Sequence, residues 1–400
     1  MRRGTNLPAV GGFNQTVILD LIRRSGGGLS RVEIAEQTGL SAPTISNVCR
    51  RLLEDGLIVE TGKRIQGPGK PRVILELDPK SRFALGVHLD PAVVTYAVLD
   101  LHGDVVSHMR RRTPSSGRPA KTVTAMASAI DEVVARSGVD RERLLGLGIA
   151  APGPIDAARG IVVDPPLLEG WQNVPLRDAL ADATGLPVLL EKDVTAAVVA
   201  ELWRNSERED FAFFYLGTGI GVGLALGGEV LRGATGNAGE GGTLVVSGDL
   251  PPKRRSDMLG HVATPPLLVA QAIDAGVLAD RADPVDEMFA ELVAAAEAGD
   301  TAATAILDRA ARLIASSIVS IVNLLDVAEV VFGGPYWDRV ADRFLATIGE
   351  LVNSSAHRVT RHPVTVSTSS IGADVAAAGA ACLVLDTSLS PRTSSLLIST

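Results

Sequence analysis

Four hundred residues, 46% of them apolar and 21% charged, describe a soluble α/β chain long enough for two or three domains, and they exclude a disordered chain or a small stapled module. Only Cys49 and Cys382 occur, which excludes a disulfide framework and an all-cysteine zinc site and fits a reducing cytoplasm. The formal net charge of −8 is uneven: residues 1–80 carry 12 Lys and Arg against 8 Asp and Glu, the remainder 26 against 38, so only the head suits a polyanion.

The opening MRRGTNLPAVGG is basic but has no apolar run, so no secretory signal is read there. From Asn14 to Glu60 three short helical patterns follow. Val17, Ile18, Leu21 and Ile22 give one apolar stripe, ended by glycines 26–28. Ser30 reads as the N-cap of a second helix, Arg31–Thr38, with Glu33 completing a capping box. Gly39 allows a sharp turn, and Ser41 caps a third helix with Ile45, Val48, Cys49, Leu52 and Leu53 on its core face.

The other face of that helix presents Thr44, Ser46, Asn47, Arg50 and Arg51 beside the capping Ser41. Such groups can bond phosphates and base edges in a major groove. Two strand-like runs then flank a loop with Lys63, Arg64, Lys70 and Arg72, a basic wing. The order of pieces predicts a winged helix-turn-helix over residues 1–80. The competing reading is a helical bundle that binds protein through a solvated charged face.

From Phe83 the pattern alternates strands and helices: FALGVHL, VVTYAVLDLHGDVV, a helix over Thr122–Arg136, LLGLGIA, PVLLEKD and a helix over Val194–Leu202. A second strand cluster, FAFFYL, GTGIGVGLAL and GEVLRG, precedes a mostly helical remainder with late strands AEVVFGG and PVTVST. The uncharged stretch Phe211–Gly228 holds six glycines and reads as strand, loop, strand, so no membrane span is expected. Two such halves imply two sheets facing a cleft, over residues 81–386. The Ser/Thr-rich residues 387–400 read as a flexible tail.

The runs LLGLGIAAPGPID (144–156), PPLLEGWQNVPL (165–176), GLPVLLEKDVTAAVVAE (185–201), FFYLGTGIGVGLALGGEVLRGATGNAGEGG (213–242) and VVFGGP (330–335) resemble, in order, the ROK family of sugar kinases and repressors. The head resembles that of its repressor branch, which includes xylose-type repressors. The resemblance implies an actin-like, hexokinase-type fold of two lobes and a homodimer acting on a double-stranded DNA operator.

The family's kinases carry a D-x-G-G-T-K turn for ATP. An ungapped match places His88 at the Asp, Asp90 and Pro91 at the glycines, Ala92 at the Thr and Val93 at the Lys. Asp90 would oppose a phosphate and Pro91 has no N–H to donate, so no enzyme activity, cofactor or metal is expected. The run Gly217–Gly221 could cradle a phosphate or simply make a tight hairpin.

By resemblance, Asp193 stands at the kinase base and Glu240 at a sugar-binding Glu. Lys192 replaces a sugar-binding Asn, Thr243 a sugar- or zinc-binding His, and Gly260 a further Glu. Lys192 either neutralises Asp193 or Glu240, or faces the cleft and favours a sugar phosphate or sugar acid. The expected function is a cytoplasmic repressor governed by a carbohydrate-related ligand at Asp193, Glu240, Lys192 and Thr243. The alternatives are a regulator that has lost its sugar and answers to a protein partner, and an ATP-dependent sugar kinase.

Overall fold

The structure is a computed structural model that describes residues 7–64, 71–114, 118–205, 207–246 and 258–390. Helices α1 (Leu7–Arg24), α2 (Arg31–Thr38) and α3 (Ala42–Glu54) and strands β1 (Leu29–Ser30), β2 (Ile58–Arg64) and β3 (Arg72–Leu77) make the head. Its strands pair antiparallel in the order β1-β3-β2. The Ser30 hydroxyl accepts the Glu33 N–H while the Glu33 carboxylate accepts the Ser30 N–H, the reciprocal cap expected from sequence. Gly39, at φ 68°, turns the chain from α2 into α3, where Ser41 accepts the Thr44 N–H.

The head core is Ile18, Leu19, Ile22, Ile34, Ile45, Val48, Cys49 and Leu52. Two details differ from the sequence pattern. Helix α1 starts at Leu7 instead of Asn14, and Leu19 is buried where Val17 is only half-buried. The stripe on α1 is rotated because this helix meets the body as well as its own bundle.

The first lobe comprises β4 (Phe83–Leu89), β5 (Val93–Asp100), β6 (Val105–Arg112), α4 (Pro119–Ser137), β7 (Leu144–Ala151), β8 (Ile155–Asp156), β9 (Ile161–Val162), α5 (Leu176–Thr184) and β10 (Val188–Lys192). After α6 (Asp193–Arg204) come β11 (Phe211–Leu216), β12 (Ile220–Leu226), β13 (Glu229–Val230), α7 (Pro265–Asp274), α8 (Val285–Glu297), α9 (Thr301–Leu325), β14 (Glu329–Gly333), α10 (Trp337–Ser354), β15 (Thr365–Thr368) and α11 (Val375–Leu389). The sheets run β10-β7-β4-β5-β6 and β13-β12-β11-β14-β15.

Helices α6 and α11 lie between the sheets, and glycines set how closely. A Cβ on Gly148 of β7 would stand 1.8 Å from the Ala380 carbonyl oxygen of α11, and one on Gly379 of α11 would stand 1.9 Å from the Ala196 oxygen of α6. One on Gly223 of β12 would stand 2.4 Å from the Val194 oxygen. Outer layers complete the lobes: Met126, Ile130 and Val133 of α4 pack under the first sheet, and Trp337 of α10 stacks on Phe332 at 4.2 Å under the second.

This layering explains the composition of α11. The window Gly372–Leu389 is long and apolar enough to cross a membrane, with mean hydropathy 1.3, but 67% of it is buried inside the body. A helix apolar all round is what a position between two sheets requires. Leu385 and Leu389 continue its buried surface, so residues 387–389 of the expected tail are helical, and residues 391–400 lie outside the described residues.

Candidate functional site

On α3 the residues singled out from sequence share the solvent side of the head. Ser46, Asn47, Arg50 and Arg51 are exposed, whereas Ile45, Val48, Cys49 and Leu52 face inward. Ser41 and Thr44 are hydrogen-bonded to each other at 2.9 Å, and the Arg50 guanidinium donates to Asn47 Oδ1 at 3.3 Å. The wing places Lys63 outward. Arg64 is instead pinned to the body of the head, donating to the Gly27 carbonyl at 3.0 Å with Glu33 3.7 Å away. Arg72 pairs across the ladder from Arg64 and is half-buried. Lys70 lies outside the described residues.

In the body the two lobes meet at a cleft. The β4–β5 turn of the first lobe carries Asp90, whose Oδ1 accepts the Ala92 N–H at 2.8 Å and the Thr218 hydroxyl of the second lobe at 3.2 Å. A carboxylate therefore occupies the meeting point of the two turns. Beneath it, β10 runs directly into α6, so Lys192 is the N-cap position and Asp193 begins the helix. Asp193 Oδ1 accepts the Val194 N–H at 2.7 Å. Burial pushes the Asp193 carboxyl above its ordinary range, opposed by His88, that N–H and Lys192, and reinforced by Asp90.

Lys192 is buried and its ammonium is fully engaged. It donates to Glu240 Oε1 at 2.5 Å, to the Ala238 carbonyl at 3.2 Å and to the Asn237 carbonyl at 3.4 Å. This geometry matches the neutralising role and leaves no donor for an anionic ligand. Asn237 also holds the lobes together, accepting from Ile155 N at 2.7 Å and donating to its carbonyl at 2.8 Å.

Asp193, Lys192 and Glu240 line one cavity of ≈ 170 Å³ together with Asp90, Pro91 and Tyr215. Thr243 does not: its hydroxyl donates to the Glu240 carbonyl at 2.7 Å and lies outside that lining, a correction to the sequence-based expectation. Gly260 is a packing residue, since a Cβ there would stand 3.0 Å from the Gly242 Cα. A second cavity of ≈ 520 Å³ lies on the other side, lined by His88, Thr95, Arg112, Tyr336 and Arg339 among others. Asp90, Tyr215 and Thr218 line both.

Tyr215 was missed from sequence. Its one signal is a polar ring near the end of the apolar run FAFFYL, two residues before Gly217. The ring meets His88 edge-on at 6.0 Å, and a Cβ on Gly217 would stand 2.6 Å from it. Burial pushes its hydroxyl well above the ordinary range, and Asp90 and Asp193 add to the effect, so the hydroxyl keeps its proton.

A larger cavity, ≈ 800 Å³, lies at the junction of α1 with α6, β10 and α11 and shares none of the cleft residues named above. There Arg23 stacks its guanidinium 3.9 Å from the Trp203 ring centroid and donates to the Trp203 carbonyl at 2.8 Å. Among the described residues no cluster of His, Cys, Asp or Glu could hold a metal ion.

A winged three-helix head on a two-lobed body with a ligand-sized cleft defines a protein of the hexokinase-type architecture fused to a nucleic-acid-reading module. Residues 85–387 match the ROK family and residues 12–64 the MarR family. The chain belongs to the ROK family.

A putative xylose repressor of Caldicellulosiruptor sp. is 26% identical over 368 residues, 89% of this chain and 92% of the relative. A transcriptional regulator of Mycobacterium tuberculosis is 30% identical over 332 residues, covering 78% of this chain and 72% of its own. Among solved structures, a ROK family transcriptional regulator described as a homolog of the E. coli MLC protein superposes with a TM-score of 0.77 at 22% identity, covering 95% of this chain and 98% of its own. A ROK family glucokinase from Streptomyces griseus, in complex with glucose and AMPPNP, gives 0.64 at 24% identity, over 75% of this chain and 98% of its own. These two establish the likeness of fold.

Proposed function

We propose that this chain is a DNA-binding transcriptional repressor whose cleft takes a carbohydrate-related small molecule without phosphorylating it. The observation that carries the reading is the Asp90 carboxylate, held by the Thr218 hydroxyl at 3.2 Å at the meeting of the two turns. A phosphate brought there would meet a negative charge, and Pro91 offers it no N–H. A kinase cannot work through such a turn, whereas a sensor has no need of ATP. The xylose repressor and regulator relatives support the same conclusion.

The protein acts in the cytoplasm as a homodimer on a two-fold operator, with half-sites about 34–36 Å apart or a multiple of that spacing. Ligand in the cleft favours one arrangement of the lobes and so one spacing of the two α3 helices. Fluorescence anisotropy with fragments of the promoters flanking its own gene tests the first half: nanomolar, salt-dependent binding is expected, and no binding at low ionic strength overturns it. A coupled assay for ADP release with ATP and hexoses tests the second: turnover restores the kinase reading.

Within α3, Asn47 reads a base edge and Arg51 a phosphate. Asn47→Ala lowers affinity for the operator by about 1–3 kcal/mol and relaxes preference at one position. Arg51→Ala weakens binding to all sequences alike and reduces the slope of log K against log salt by about 1. Anisotropy titrations at several salt concentrations separate the two effects.

A further inference from the structure

Tyr215 is 4% exposed, and its hydroxyl has no hydrogen-bond partner among the described residues. Leaving such a group unpaired costs about 1–3 kcal/mol, so its position rewards a ligand that bonds it. The side chain stands where the cavities of ≈ 170 Å³ and ≈ 520 Å³ adjoin, with Asp90 and Thr218 beside it in both linings. The smaller volume suits a single small ring, while the larger one continues past Tyr215 along Pro284, Val285, Pro335 and Tyr336.

Charge narrows the chemistry. Asp90, Asp193 and Glu240 line the smaller cavity against one cation, Lys192, which is already engaged with Glu240 and two carbonyls. The site is rich in acceptors and poor in free donors. Hydroxyl groups can donate to those carboxylates, whereas a phosphate or carboxylate would be repelled. In the larger cavity Arg110, Arg112 and Arg339 are offset by Asp90, Asp283, Asp286 and Glu287, and Arg110 is further held by Asp374 at 2.5 Å.

We propose that the cleft takes one uncharged, hydroxyl-rich ligand of disaccharide length, laid across both cavities and hydrogen-bonded by Tyr215 where they join. The inference rests on the carbohydrate-sensing reading above, because it gives to the ligand the space that a nucleotide would otherwise fill.

Isothermal titration calorimetry on the full chain tests it, with xylose, glucose, xylobiose, cellobiose and maltose, and with glucose 6-phosphate and gluconate as the anionic arm. A neutral disaccharide is expected to bind about tenfold or more tighter than its own monosaccharide, and the anionic compounds more weakly than glucose. Tyr215→Phe, which keeps the ring against Gly217 and removes the unpaired hydroxyl, loses about 5–10-fold in disaccharide affinity while the ligand-free melting temperature holds or rises. Should that variant fail to fold, Asp90→Asn carries the test, by narrowing the discrimination against glucose 6-phosphate. Equal affinity for mono- and disaccharide, tighter binding of a phosphate, or an unaffected Tyr215→Phe each overturns the inference while leaving a sugar sensor in place. A panel in which nothing binds overturns the sensor reading and the inference together.

Discussion

Replacing Gly148 by alanine lowers the stability of the body by about 3 kcal/mol, seen as a fall of roughly 6–12 °C in melting temperature. The added Cβ would meet the Ala380 carbonyl oxygen at 1.8 Å, and its carbon at 2.5 Å. Backbone atoms of a buried helix cannot swing aside as a side-chain end can. Helix α11 has no room to retreat either, because Gly379 on its opposite side lies against Ala196 of α6. Relief therefore requires moving the helix pair and the second sheet together. Gly219→Ala is the matched control: nothing lies within 4 Å of its Cβ position, so a change within about 0.5 kcal/mol is expected. Differential scanning calorimetry of the two variants measures both. Equal melting temperatures for Gly148→Ala and the wild type would mean that the sheets and helices are not packed as described.

The same contacts explain the glycine run that looks like a phosphate cradle. Gly217 clears the Tyr215 ring, and Gly221 and Gly223 clear Val194 and Val198 of α6. Packing alone accounts for Gly217 and Gly221 within the run and for Gly223 just after it, while Gly219 has nothing within 4 Å. From sequence a tight hairpin is the favoured reading of the run and a phosphate cradle the alternative, because the deciding contacts lie in residues far away along the chain. The head was more legible, since the Ser30 and Glu33 cap, the Gly39 turn and the α3 stripe are local patterns with local causes. Asp193 and Glu240 were found because they lie inside runs with a family resemblance. The engagement of Lys192 by Asn237, Ala238 and Glu240, and the orphaned Tyr215 hydroxyl, depend on how two lobes meet and have no local signature. The second set of partners for Arg64 is hidden in sequence for the same reason. Its charge suggests DNA, and the fold adds the Gly27 carbonyl and the Glu33 carboxylate as neighbours of an exposed guanidinium.

Substituting Arg23 by glutamine is expected to uncouple ligand from DNA while leaving each able to bind. Helix α6 begins with Asp193 in the cleft and carries Trp203 near its far end, 12 residues and about 18 Å in all. Trp203 is fixed on the lobe side, for a Cβ on Gly103 of the β5–β6 turn would stand 2.8 Å from its ring. On the head side it is held by Arg23, stacked at 3.9 Å and hydrogen-bonded at 2.8 Å. A shift of α6 when the cleft fills must therefore press on α1, which packs against α3. Glutamine removes the cation and its stacking but spares the tryptophan, and Asp20 keeps its partner Arg24 at 2.8 Å. Operator affinity without ligand should stay within about threefold. The coupling should fall by about 0.5–2 kcal/mol, a factor of roughly 2–30 in the ligand-driven loss of DNA affinity. Because coupling is reciprocal, saturating operator must weaken ligand binding to the wild type by the same factor that ligand weakens operator binding, and must weaken it less in the variant. Anisotropy with ligand titrated in, and calorimetry with operator bound, give that factor independently from its two sides. If both return the wild-type value for Arg23→Gln, the signal reaches the head by some route other than Trp203.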